Sequence, residues 1–412
     1  MRPLPAAVAS LLLGAAALTV PAGAASAAAP APGSPRYASV VGAGFAGGTH
    51  NGTAYRSGRL VLDHATSTTA SGRGTLENAS WYSGWVTPGT SFTELIASWK
   101  ATTAPGSFVR IGLQAKTTAG TYTSVDDTAT WAEQDDVVRR ASASAQPDDT
   151  ASVATDTFKA HAGTRFVAWR MRVVLTRPAG KPGPSVVKVG GVASTPTPWS
   201  GHTSAPLYGA RTLAVPTYSQ MTHRGEYPQY GNGGEAWCSP TSVAMLLGYY
   251  KRLPPASSYA WVAAGDADRY VDGVARMTYD YAYQGTGNWP FNTAVAATYA
   301  GDAFVTRLTS LRDVEQLVHA GIPVAISVSF GKGELSGAPI SASNGHLVVV
   351  SGFTAAGNPV VNDPAGPSNG SVRRTYDRGQ LERAWMGHSY GTAYIVRDAA
   401  HPLPPAGSAP RW

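Results

Sequence analysis

The chain has 412 residues, of which 14% are charged, with a formal net charge of +7 and one cysteine, Cys238. A single thiol excludes an internal disulfide framework. The basic residues are scattered, short pairs such as Arg139-Arg140 and Arg373-Arg374 aside, which excludes the clustered patch that a nucleic-acid partner needs.

Met1-Arg2, an apolar stretch from Leu4 to about Val20 and the exit Ala25-Ser26-Ala27 have the three parts of a secretory signal. Cleavage is expected after Ala27, so residues 1–27 form a signal peptide and the protein is secreted, extracellular or associated with the cell wall. The stretch is short and alanine-rich for an uncleaved anchor. No later segment approaches the ~20 apolar residues of a membrane span, so no membrane partner is expected after cleavage. Roughly 385 residues then remain (412 less 27), which predicts two domains.

Residues 28–35, rich in Ala and Pro, form a leader spacer. From 36 to 195 the chain has no long helical period. It alternates instead over Leu95–Trp99, Phe108–Leu113 and Phe166–Leu175, where Phe166, Ala168, Arg170 and Arg172 oppose Val167, Trp169, Met171 and Val173. Period two between Gly and Thr turns predicts an all-β, antiparallel sandwich, closed by a strand at Val186–Val189. In this domain Trp81, Tyr82 and Trp85 are open to two readings: a platform for carbohydrate or cell-wall contact, or core and edge packing.

Residues 196–206 read as a linker, and the texture then changes. A helix is predicted from Pro240 to Tyr250, with Ser239 as N-cap and Pro240 in the first turn. A second runs from Leu311 to Ala320, apolar at Leu311, Val314, Leu317 and Val318 and ended by Gly321. Strands follow at Val324–Val328, His346–Phe353, Val360–Asn362 and Ala393–Val396. Helices followed by a run of strands make an α+β plan for residues 207–400, before a tail over 401–412.

Cys238 lies at the mouth of the first helix, where the positive end of the helix dipole favours a thiolate. His346 opens an apolar strand. Asp363 lies 17 residues on, just beyond a strand that would return antiparallel after a Gly357-Asn358 turn. Cysteine, histidine and acid in this order are the parts of a nucleophile triad, although each alone has a bland reading as a buried thiol, a structural histidine or a turn residue.

Three other patterns are weaker. Gly387-His388-Ser389-Tyr390-Gly391 matches G-x-S-x-G but has a helix before it and a strand after it, the reverse of a serine hydrolase elbow. Asp266, Asp268 and Asp272 lack EF-hand spacing. The nine histidines are dispersed and include no H-E-x-x-H, so no zinc site is expected. Tyr279, Tyr281, Tyr283 and Trp289 are candidates either for lining a substrate cleft or for packing beneath a loop.

Residues 211–397 resemble the C39-like peptidases, a papain-like group of bacterial cysteine peptidases, in a secreted actinobacterial form. The resemblance rests on Val215–Gln220, Trp237–Ser242, Tyr279–Asn292, Asn344–Phe353 and Val361–Pro364 in that order. It implies a papain-like fold, Cys238 as nucleophile, His346 as general base and acid, Asp363 as its orienter and Gln220 as oxyanion donor beside the Cys238 backbone N–H, with no cofactor and no metal. Gln220 lies 18 residues before Cys238, a longer gap than in the exporter-linked members, which leaves Gln229 as a rival. Those members also carry membrane and ATPase domains that this sequence lacks, so their leader-peptide substrate does not transfer. The expected partner is a peptide or protein substrate. Cell-wall peptide cleavage, transamidation on the same cysteine, and a catalytically silent binding module remain as alternatives.

Overall fold

The computed structural model describes residues 33–406 and 410–412. The expected signal peptide lies outside the described residues, as does most of the spacer. The described residues contain three seven-stranded antiparallel sheets and five α-helices, so the chain is mixed α and β. No helix among them is long and apolar enough to cross a membrane.

Two sheets occupy residues 36–194. One includes Glu94–Thr102, Ala151–Ala154, Thr157–Ala160 and Ser185–Ser194. The other includes Gly74–Tyr82, Phe108–Thr117, Asp126–Trp131 and Phe166–Pro178. Their buried faces meet: Phe158 of the first stacks on Phe166 of the second at 5.5 Å, and Trp99 lies 6.1 Å from Trp131. The strand from Phe166 departs from simple alternation. A bulge between Phe166 and Ala168 brings Phe166 onto the buried face with Trp169, Met171 and Val173.

The third sheet runs in the order Asp302–Arg307, Thr392–Arg397, Val324–Phe330, Ser343–Phe353, Pro359–Asn362 and Arg373–Thr375, with Arg211–Thr212 also pairing with Ser343–Phe353. Helices α1 (Cys238–Tyr249), α2 (Tyr270–Thr278), α3 (Trp289–Ala300), α4 (Leu311–His319) and α5 (Arg378–Ser389) accompany it.

Helix α1 begins two residues earlier than expected, and its N-cap is Trp237 rather than Ser239. Ser239 already lies in the first turn, and its hydroxyl pairs with the Tyr394 hydroxyl at 3.0 Å instead of capping the backbone. Pro240 is tolerated there because the first helical N–H groups have no intrahelical acceptor. Every residue from Ser239 to Leu247 is buried, and Ser242 Oγ donates to the Leu347 carbonyl, so α1 lies against the His346 strand.

Helix α4 starts at an N-cap Ser310, and Gly321, at φ 85°, follows its end as predicted. Helix α3 was not anticipated. It is buried almost all round and so has no amphipathic period, although Asn288 caps it by accepting from the Phe291 N–H at 3.1 Å.

The first two sheets and the third are tightly joined. Phe291 of α3 enters the aromatic group of Trp99 and Trp131, at 6.0 and 5.4 Å. Buried Arg307 donates to Glu94 at 2.6 Å and to Ser194 at 2.8 Å, and Arg276 pairs with Asp135 at 2.7 Å. The segment expected as a linker is itself held, with the Ser204 N–H donating to Glu382 at 2.6 Å.

Candidate active site

Cys238 is the first residue of α1 and is partly exposed. The His346 ring and the Leu347 backbone N–H are the groups that act on its sulfur. Burial works to raise the thiol pKa, but the His346 hydrogen bond and charge, with the Leu347 N–H, outweigh it and hold the thiol below its ordinary value.

His346 sits on the central strand Ser343–Phe353, opposite Val328 on one side, while Asp363 follows the strand paired on the other side. Its Nε2 lies 2.7 Å from Asp363 Oδ1. That leaves Nδ1 as the ring nitrogen not engaged by Asp363. Asp363 is fully buried and accepts two further hydrogen bonds, from the Ala365 N–H at 3.0 Å and from the Tyr376 hydroxyl at 2.6 Å.

Burial would raise the Asp363 pKa, yet the neighbouring imidazolium and the Tyr376 and Ala365 donors hold it below the usual carboxylate value. Burial would likewise lower His346, but Asp363 and the Cys238 sulfur push it up to about 10. The protons of the three groups belong to one coupled system, in which the thiol and the carboxyl are shifted down and the imidazole up.

Tyr376 has no sequence signal, because only sheet topology brings the end of the Arg373–Thr375 strand beside Asp363. Tyr376→Phe is expected to lower the unfolding free energy by about 1.5–3 kcal/mol, the worth of a buried hydrogen bond to a charged acceptor. Urea unfolding checks this, and an unchanged value would mean that Asp363 does not depend on the phenol.

Gln220 opens a short 3-10 helix, Gln220–His223, and is buried. Its Nε2 donates to the Glu235 carbonyl at 2.6 Å, in the segment leading to Cys238, which leaves one amide hydrogen uncommitted. The rival Gln229 is exposed in a turn. Ser389 of the G-x-S-x-G pattern ends α5, is buried, and donates to the Ser327 carbonyl at 2.7 Å, so it is a packing residue.

A cleft of about 590 Å³ contains Cys238 and is lined by Asn344, Leu347, Tyr283 and Trp289. Its far wall comes from the amino-terminal sheets, through the hairpin turn Ala154–Thr157 and Lys159. Asp156 on that turn accepts from the Trp289 N–H at 3.2 Å, and burial raises its pKa to about 6. The tyrosine group therefore divides. Tyr283 and Trp289 line the cleft, whereas Tyr279 packs edge-on to Tyr230 and Tyr281 donates to Asp135 at 2.9 Å. Of the candidate platform residues, Trp81 is core, while Trp85 is exposed beside Tyr122 at 5.1 Å.

Asp266 and Asp268 accept from Tyr227 and Tyr270 and do not converge with Asp272 on a calcium loop. Asp272 instead meets His223 and Glu226, with ligand atoms within 4.8 Å of one another. This is the one group among the described residues with the side chains to hold a metal ion. Linear spacing hides it, because Asp272 lies 46 residues beyond Glu226.

Residues 37–194 match the family model described as Peptidase C39 N-terminal domain, and residues 212–392 match the Peptidase_C39 like family. No curated protein matches the chain. Among solved structures, a chain from Bacillus anthracis described as a C39-like peptidase is 18% identical, with 46% of this chain and 98% of that one covered and a TM-score of 0.29. A prointerpain A fragment from Prevotella intermedia is also 18% identical, with 48% and 74% covered and a TM-score of 0.29. Scores of that size establish no shared fold.

Proposed function

The chain belongs to the C39-like peptidase family, and from that premise we propose that it is an exported cysteine peptidase hydrolysing peptide bonds through Cys238, His346 and Asp363 on a papain-like domain. The observation that carries this reading is His346 placed between Cys238, whose thiol it acts on, and Asp363, whose Oδ1 lies 2.7 Å from its Nε2. Export rests on the residues of the amino terminus alone.

The Cys238 thiolate attacks the scissile carbonyl carbon, and the carbonyl π electrons move to oxygen. The Gln220 amide and the Cys238 backbone N–H would steady that oxyanion, a contribution of about 3–4 kcal/mol for such a donor. Collapse breaks the C–N bond, and His346 gives its proton to the departing amine. His346, now neutral, takes a proton from water as water attacks the thioester, which releases the acid and restores the thiolate–imidazolium pair.

The test is the release of new amino termini from denatured casein by the parent protein and not by Cys238→Ala, with purified sacculi offered in parallel. Release from sacculi alone would move the substrate to cell-wall peptide, and release by Cys238→Ala would end the cysteine mechanism.

The cleft walls would bind substrate without taking part in chemistry. Tyr283, 53% exposed and in the cleft, is expected to contribute uniform binding. Tyr283→Ala should raise KM several-fold with kcat within about twofold. Steady-state kinetics on one peptide checks this, and a fall confined to kcat would place Tyr283 in the transition state instead.

A further inference from the structure

His223 ends the 3-10 helix that carries Gln220 and is fully buried. Its Nδ1 lies 2.9 Å from Glu226 Oε2 and 3.3 Å from Asp272 Oδ2. Asp272, in the first turn of α2, is also fully buried; it is ion-paired with His223, yet neither of its carboxylate oxygens makes a hydrogen bond of good geometry. His223 Nε2 is likewise without one. Buried carboxylates are otherwise paired, hydrogen-bonded or bound to metal. One imidazolium shared by two carboxylates leaves a net charge of about −1 in this interior, whereas a divalent cation with a neutral imidazole leaves none.

We propose that His223, Glu226 and Asp272 form a site for a divalent transition-metal ion of the zinc or manganese class, fastening the Gln220 segment to α2. One imidazole nitrogen and two carboxylates suit these ions, whereas calcium takes six to eight oxygens. At metal–ligand bonds of about 2.1 Å, the separations of 2.9 and 3.3 Å subtend angles of about 90° and 100°, within the range of such centres. Glu226 is 25% exposed and supplies the way in from solvent, with a position for water. The His223 ring lies 6.0 Å from that of Trp237, the residue before Cys238, so the ion would sit behind the catalytic helix and not in the cleft.

The full chain carrying Cys238→Ser, so that the thiolate does not compete for metal, is dialysed against a chelator and titrated separately with zinc chloride and manganese chloride. Calorimetry and native mass spectrometry should give one equivalent bound, and the melting temperature should rise. Asp272→Asn and Glu226→Gln should each weaken binding at least tenfold. If Asp272→Asn does not fold, Glu226→Gln decides, since its side chain reaches the surface. Failure of both metals to bind, with a melting temperature indifferent to them, would overturn the proposal and mean that a proton on His223 holds the cluster. Binding retained in both variants would overturn it as well, by placing the ion elsewhere. None of these readouts depends on peptidase activity.

Discussion

Cys238→Ala is expected to lower peptide-bond hydrolysis by about 10⁴-fold or more, the loss typical when a nucleophile is removed from a unit that acts together. Its fold should survive. Cys238 is partly exposed at the start of α1, and the buried run from Ser239 to Leu247 that anchors this helix is untouched. His346→Ala should cost a similar factor, because without the ring the thiol has neither its proton acceptor nor its counter-charge. The double variant should be little worse than either single one, since each alone stops the same step. Single-turnover kinetics on a peptide ester and on the matching amide gives the measurement. A Cys238→Ala protein that retains a tenth of parental turnover would contradict the assignment, as would additive losses.

Asp363→Ala is expected to be the next most damaging change. It removes the acceptor from His346 Nε2 and leaves that N–H buried without a partner. Breaking one partner of a buried pair typically costs about 3–5 kcal/mol. Asp363→Asn separates orientation from charge: its amide oxygen can still accept from Nε2–H, but the anion that raises the histidine pKa is gone. The asparagine variant should therefore retain far more activity than the alanine one, with the alkaline limb of its kcat/KM profile moved to lower pH.

The stability signs follow from the same shifts. His346 is raised in the fold, so its contribution is complete below about pH 6.5, the unfolded value, and is lost as pH rises through about 10. Asp363 is lowered, so its contribution is present above its unfolded value near 3.8 and is lost as pH falls through its depressed folded pKa. Parental stability should accordingly show an acid loss that Asp363→Ala lacks and an alkaline loss that Asp363→Ala shows only in reduced form. Denaturant midpoints measured across pH check this, and parallel curves for the two proteins would contradict it.

What was legible in the sequence was what local chemistry dictates. The strand at Phe166 was visible from alternation, and its bulge was not, because an inserted residue shifts the period without changing the composition. Helix α4 was visible from apolar spacing and Gly321. Helix α3 was hidden, since burial on nearly all sides erases the period that betrays a surface helix. The meeting of His346 with Asp363 could be anticipated because one antiparallel hairpin brings them together. Tyr376 could not, since it arrives from the next strand, and neither could the Leu347 N–H on the sulfur. The contribution of Ala154–Thr157 to the cleft was beyond sequence reasoning for the same reason: two regions read as separate domains pack so that a turn of one faces Cys238 of the other. Asp272 was hidden in the same way: spacing rules out an EF-hand over Asp266, Asp268 and Asp272, but it does not show that Asp272, buried on α2, faces His223 from a distant segment.

The central claim is that His346 holds Cys238 as a thiolate, and the most direct measurement is the rate of iodoacetamide labelling as a function of pH, followed by intact mass, in the parent and in His346→Ala. The expected result is fast labelling of the parent at mildly acidic pH, with the variant slow there and accelerating only near the ordinary thiol pKa of about 8.5. Equal rates in the two proteins across that range would contradict the account, because the histidine would then have no hold on the sulfur.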